Sequence, residues 1–329
     1  MEKRNYIYIC KGISIFSVAA AHVSSAFAYA GEMEKFCVRL LSSLGTIGVP
    51  LFFLISGYLY EKSLKKHDWK YIVKNKLEGL CIPWMISGTI VWLYVVLRKG
   101  GISFKNWFYF LIGIDSYLYF MFVLVILYML YVVMRKNKFI FYVGIFFSVI
   151  SYIYINIFGK TILFSPYLNV IGWQGWFLVG GGICCKESYE QRMLVFIKKW
   201  WSIGFMIAVT LALYICYKEE TLTYWHKSYI WFELASLMFL GGLAYYLLRC
   251  EKIKKMLICI GRNSFSIYLF HMPVAGIISN IMNRFPNYFL VFLRPFIVVG
   301  MTLLLIKLGD VFFERLGLHK YYKLLIGER

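Results

Sequence analysis

Apolar residues run along this chain in long uncharged blocks, and the polar connections between them are short and mostly basic. The blocks cover roughly 7–29, 40–60, 77–97, 117–134, 139–158, 167–185, 200–217, 229–248, 257–282 and 288–313. A helix needs about 20 predominantly apolar residues to cross a bilayer core. Most of these blocks meet that length, so the pattern predicts ten transmembrane spans. The sixth is short and rich in glycine, at Gly172, Gly175 and Gly180–Gly182. The longest polar connection, 61–76, is too short to fold alone. The expected fold is therefore all-α, a polytopic transmembrane helical bundle forming one integral-membrane domain over 1–329. No internal repeat or low-complexity segment interrupts it.

Composition agrees with that pattern. The chain is 61% hydrophobic and only 16% charged, against about 25% charged in ordinary soluble domains. The formal charge of +20 suggests nucleic acid, but the placement of the charges argues otherwise. If all ten blocks cross, 24 of the 36 Lys and Arg fall on the side of the two termini and 10 on the other. The remaining two, Lys11 and Lys307, lie within spans. Cytoplasmic loops carry the excess of Lys and Arg, so both termini are expected in the cytoplasm, with no nucleic acid as partner. Anionic lipid headgroups account for the basic surface. A long first block followed by a second one is expected to be a span and not a cleavable signal.

The eight cysteines include no Cys-x-x-Cys and no Cys–His spacing suited to zinc, so no metal is expected. Trp69, Trp84, Trp107, Trp173, Trp200, Trp201 and Trp225 fall near block ends, as interfacial belts do.

Ionisable residues inside a membrane are costly and usually functional. Here they are Lys11, His22, Glu233, His271, Lys307 and Asp310. Lys11 and His22 are 11 residues apart. At 3.6 residues per turn they fall about 20° apart around one helix and about 16 Å apart along it. One stripe thus carries a cation near its start and an imidazole deeper in. Ala19, Ala20 and Ala21 let neighbouring helices approach that imidazole closely. Glu233 is close enough to its span start to reach the interface. Lys307 and Asp310, at i and i+3, are suited to pairing with each other. His271 precedes Pro273, which lacks an N–H and frees a carbonyl beside the imidazole. The chain shows no Ser-His-Asp arrangement, nucleophile elbow or phosphate loop.

Several stretches resemble the integral-membrane acyltransferase 3 family. Lys11-Gly12-Ile13-Ser14-Ile15 followed by His22 is similar to its Arg-x10-His signature, with Lys in place of Arg. Gly48-Val49-Pro50-Leu51-Phe52-Phe53-Leu54-Ile55-Ser56-Gly57-Tyr58-Leu59 is close to its Phe-Phe-x-Ile-Ser-Gly block. Lys74 and Lys76 resemble its basic approach to a Pro-aromatic pair, although Glu78 and Gly79 replace further basic residues. Leu118-Tyr119-Phe120 resembles its Leu-Trp-Phe, and 261–273 its Tyr-x-x-His-x-Pro block.

The resemblance implies an O-acyltransferase in a bacterial plasma membrane. It would move an acyl group, usually acetyl, from cytoplasmic acyl-CoA to a hydroxyl of an extracytoplasmic or lipid-linked glycan. On that basis His22 is expected to be the catalytic base or acyl carrier. Lys11, Lys76, Ser56, Tyr119 and His271 are expected to bind donor or substrate. A transporter or flippase of lipid-linked sugars is the alternative, and consumption of acetyl-CoA separates the two. The acceptor is left open, as are the choice of acetyl or succinyl and the oligomeric state, a homo-oligomer included.

Overall fold

The structure is a computed structural model that describes residues 3–25, 31–160, 165–285 and 287–327. Among these, every regular element is helical. In chain order they are α1 (Lys3–Ser25), α2 (Glu32–Gly45), α3 (Gly48–Leu64), α4 (Trp69–Lys99), α5 (Phe104–Ile112), α6 (Tyr119–Met134) and α7 (Lys138–Phe158). A 3₁₀ turn (Pro166–Leu168) leads to α8 (Val170–Cys185), α9 (Glu187–Tyr217), α10 (Tyr229–Leu247), α11 (Glu251–Arg262), α12 (Ser264–Met282), α13 (Tyr288–Arg315) and α14 (His319–Ile326). This is an all-α polytopic bundle.

Seven of the helical stretches are long and apolar enough to cross a membrane: 32–64, 69–97, 138–158, 187–217, 229–247, 264–282 and 288–315. The apolar helices α6 and α8 are shorter, at 16 residues each, and α1 lies outside the seven. Residues 26–29, which end the first predicted block, lie outside the described residues.

The burial pattern explains the layering. Helix α6 is apolar on every side and buries most of its length, from Tyr119 and Phe120 to Tyr131 and Val132, with Met129 and Val133 left exposed near its end. A helix apolar on every side is placed in the interior or against lipid, and α6 turns its larger part inward. Helix α1 is also central, with Ile9, Ser14, Ile15 and Ala19 fully enclosed. Helices α4, α7, α9 and α13 instead turn large apolar side chains outward, among them Leu93, Phe146, Phe205 and Leu305. Backbone hydrogen bonds closed within each helix let such surfaces face lipid.

Two predicted blocks differ from the structure. Block 40–60 is divided at Thr46–Ile47 between α2 and α3. Pro50 lies in the first turn of α3, where its missing N–H leaves no intrahelical bond unmade. The Thr46 hydroxyl donates to the Ser43 carbonyl at 2.7 Å and closes the end of α2. Block 257–282 is divided at Asn263, because α11 is a separate amphipathic helix with charged residues on one face.

Glycine sets the closest crossing. A Cβ at Gly57 would collide with the Phe177 carbonyl, and one at Gly180 with the Leu54 carbonyl. Helices α3 and α8 therefore meet backbone to backbone, and Gly57 of the Ser-Gly-Tyr block has a packing role.

Three further expectations are corrected. Trp84 and Trp173 are buried and pack inside the bundle, unlike belt residues. Asp310 faces His319 of α14 at 3.3 Å instead of pairing with Lys307. Glu233 is fully enclosed beside Tyr229 and Tyr152 and does not reach the surface.

Candidate active site

The site is assembled on α1. Its first residues are polar, and from Ile7 onward it is apolar apart from Lys11, His22 and small hydroxyl residues. Lys11 and His22 are both half-buried. Each end of this stripe acquires a partner that local spacing does not reveal.

At the Lys11 end, α4 brings Lys76 within electrostatic range. Lys76 is half-buried as well. Neither ammonium is ion-paired among the described residues. Lys74 differs, having Glu78 one turn on at 3.9 Å. Two neighbouring cations without a carboxylate repel each other, and an anion between them relieves that repulsion.

At the His22 end, α12 brings His271, with ring centroids 5.4 Å apart. Gly45, at the end of α2, rests on Ala21 so closely that a Cβ there would collide with it. The run of alanines thus admits a neighbouring backbone, as small residues do in membrane bundles.

His271 is fully buried. Its Nδ1 lies 2.8 Å from the Tyr268 carbonyl and 3.1 Å from that of Ile267. Carbonyls only accept, so Nδ1 carries the proton and Nε2 presents its lone pair. Nε2 is buried and has no hydrogen-bond partner among the described residues. Leaving a buried acceptor unmatched costs about 1–3 kcal/mol, and such groups in native folds call for a reason.

Tyrosines wall the pair. Tyr117 meets the His271 ring edge-on at 5.3 Å and the His22 ring at 6.4 Å. Tyr268 lies 6.0 Å from His271. Tyr119 is the next ring out. It is buried, packs on Tyr167 at 4.9 Å and hydrogen-bonds with Tyr224. Burial pushes the Tyr224 phenol well above its ordinary pKa, so it is a neutral hydrogen-bonding group.

Ser56 lies on α3. It hydrogen-bonds with Tyr128. Eight residues before it, Gly48 lies against Ser14 and Val18 of α1. That rise sets Ser56 about 12 Å away from that level.

Of the residues expected from sequence, the structure joins Lys11 with Lys76 and His22 with His271. Tyr119 stands one ring behind the histidines, and Ser56 is hydrogen-bonded with Tyr128 of α6. Tyr117 and the fully buried Arg294, which donates to Asn283 Oδ1 at 2.6 Å, were not singled out by sequence, and Tyr268 entered only as part of the Tyr-x-x-His-x-Pro block. Pro273 was the available signal for Tyr117. A carbonyl that proline leaves without its donor must find one elsewhere.

No curated protein and no solved structure matches the chain. A family model described as "Acyltransferase domain" matches residues 4–307, nearly the whole length. The chain therefore belongs to this family of integral-membrane acyltransferases, acyltransferase 3.

Proposed function

We propose that this protein is a membrane O-acyltransferase that moves an acyl group, most simply acetyl, from acyl-CoA to a hydroxyl of an extracytoplasmic or lipid-linked glycan. The observation that carries this reading is the His22–His271 pair, 5.4 Å between ring centroids, with His22 on the same helix stripe as Lys11. The membrane is a bacterial plasma membrane, with the Lys11 end of α1 toward the cytoplasm. Lys11 and Lys76, cations without carboxylate partners among the described residues, receive the anionic donor from that side. The aromatic wall around Tyr119, Tyr167 and Tyr224 suits the faces of a sugar on the other.

In the transfer, His22 takes the proton of the acceptor hydroxyl as its oxygen attacks the thioester carbonyl. The C–O bond forms, the C–S bond breaks, and the imidazolium returns its proton to the departing thiolate. A neutral imidazole suits this task because its unperturbed pKa lies near neutrality. His271 Nε2 turns its lone pair to the site and stabilises the imidazolium that forms on His22. That role accounts for a buried acceptor left without a partner. Lys11 in place of Arg offers a point charge instead of a planar fork.

The test is consumption of acetyl-CoA by the purified protein in lipid, with thiol release and acceptor esterification measured together. Transport of a lipid-linked sugar without any thiol release would replace this reading with a flippase.

A further inference from the structure

Helix α12 contains a proline one turn from Leu269. In a regular helix the Leu269 carbonyl would accept from the N–H of residue 273, but Pro273 has none. The structure supplies a donor from another element. The Tyr117 hydroxyl donates to the Leu269 carbonyl at 2.6 Å. In return, the Tyr268 hydroxyl donates to the Tyr117 carbonyl at 2.5 Å. These two bonds run in opposite directions between the α5–α6 turn and the one turn of α12 that carries His271. All three side chains, Tyr117, Tyr268 and His271, are buried.

The turn that presents Tyr117 is itself fixed. Gly113 ends α5 in the left-handed region, at φ 85°, which glycine enters without steric cost. The Ser116 hydroxyl donates to the Phe110 carbonyl at 2.5 Å and accepts from the Leu118 N–H at 3.1 Å. Tyr117 therefore comes from a rigid turn, and its ring also covers the edge of His271.

We propose that Tyr117 is a positioning residue for acyl transfer. By occupying the carbonyl that Pro273 leaves open, it locks the α12 turn so that His271 keeps Nδ1 on the Tyr268 and Ile267 carbonyls and its ring beside His22. The proposal rests on the acyl-transfer reading. Without the hydroxyl, the Leu269 carbonyl is an acceptor left without its donor among buried side chains. The turn then relaxes to satisfy it, and the His271 ring moves with the turn.

Tyr117→Phe removes one oxygen and leaves the ring. Pro273→Ala returns an N–H to the Leu269 carbonyl, so the two changes compensate only if that carbonyl is the point of action. Wild type, both single variants and the double variant are compared with acetyl-CoA as donor. Tyr117→Phe is expected to lower kcat about tenfold with the donor KM within twofold, and Pro273→Ala in that background is expected to recover most of the loss. A folded Tyr117→Phe within twofold of wild type overturns the proposal, as does a double variant no better than the single. If Tyr117→Phe fails to fold, a double variant that folds supports the proposal and one that does not overturns it. If wild type does not consume acetyl-CoA, the acyl-transfer reading fails by itself. The clamp is then read from imidazole ¹⁵N spectra. A single Nδ1–H tautomer of His271 in wild type, lost in Tyr117→Phe, supports it; identical spectra contradict it.

Discussion

The imidazoles of His22 and His271 lie 5.4 Å apart between ring centroids, although 249 residues separate them in the chain. Helix α1 supplies one and the proline-containing α12 the other. One of the four ring nitrogens, His271 Nε2, is enclosed with its lone pair unmatched among the described residues. Several consequences of this arrangement can be measured.

Lys11 and Lys76 are assigned to binding rather than to the chemical step. Replacing either with Ala should raise the KM for acyl-CoA about 10-fold to 100-fold while changing kcat little. This corresponds to losing a charge-assisted contact of about 1.5–3 kcal/mol. Lys11→Arg should retain binding or improve it. Steady-state kinetics at varied donor concentration checks both. A Lys11→Ala enzyme with the wild-type KM would mean that Lys11 merely extends toward the interface, as lysines near span ends do.

The α3–α8 crossing should be intolerant of any side chain. Gly57→Ala and Gly180→Ala each place a methyl on a facing carbonyl, and overpacking of this kind costs about 1–3 kcal/mol or more. Gly276→Ala is the control, because a Cβ there meets nothing within 4 Å. Thermal unfolding in detergent should show the first two clearly destabilised and the third unchanged. Equal midpoints for all three would contradict the backbone-to-backbone packing.

The charge bias predicts ten crossings with both termini inside, three more than the seven helical stretches that pass on length and apolarity. The extra three would be α1, α6 and α8. A reporter active only outside the cytoplasm should be inactive when fused to the C-terminus and active at Lys160 or Lys218. Activity at the C-terminus would mean an odd number of crossings and would point first to the short α8.

Much of this organisation is legible in the sequence, and the remainder fails for identifiable reasons. Hydropathy alone locates most of the apolar helices, because an uncharged run of that length has few other stable environments. The Lys11–His22 stripe follows from helix arithmetic. Pro50 already marks a helix start, so the division of 40–60 was available and a continuous hydropathy trace obscured it. Charges on one face of 251–262 likewise marked a separate helix. The pairings are a different matter. Lys76 within range of Lys11 and His271 beside His22 depend on where α4 is held by its neighbours and on how α12 packs against α1, and no local spacing encodes that. Glu233 shows the reverse error: an acidic residue near a span start reads as interfacial, and only packing around Tyr229 and Tyr152 reveals its burial.

The central claim is that His22 performs the chemistry. His22→Gln preserves size and hydrogen bonding but cannot act as a base. The direct measurement is acyl transfer per mole of folded His22→Gln protein, with folding verified by thermal unfolding. Loss of a general base lowers rates by about 10²–10⁴, and the predicted result is a fall of that size with the unfolding midpoint retained. A folded variant within about threefold of wild type, an effect below about 1 kcal/mol, would contradict the account and leave His22 as a packing residue beside His271.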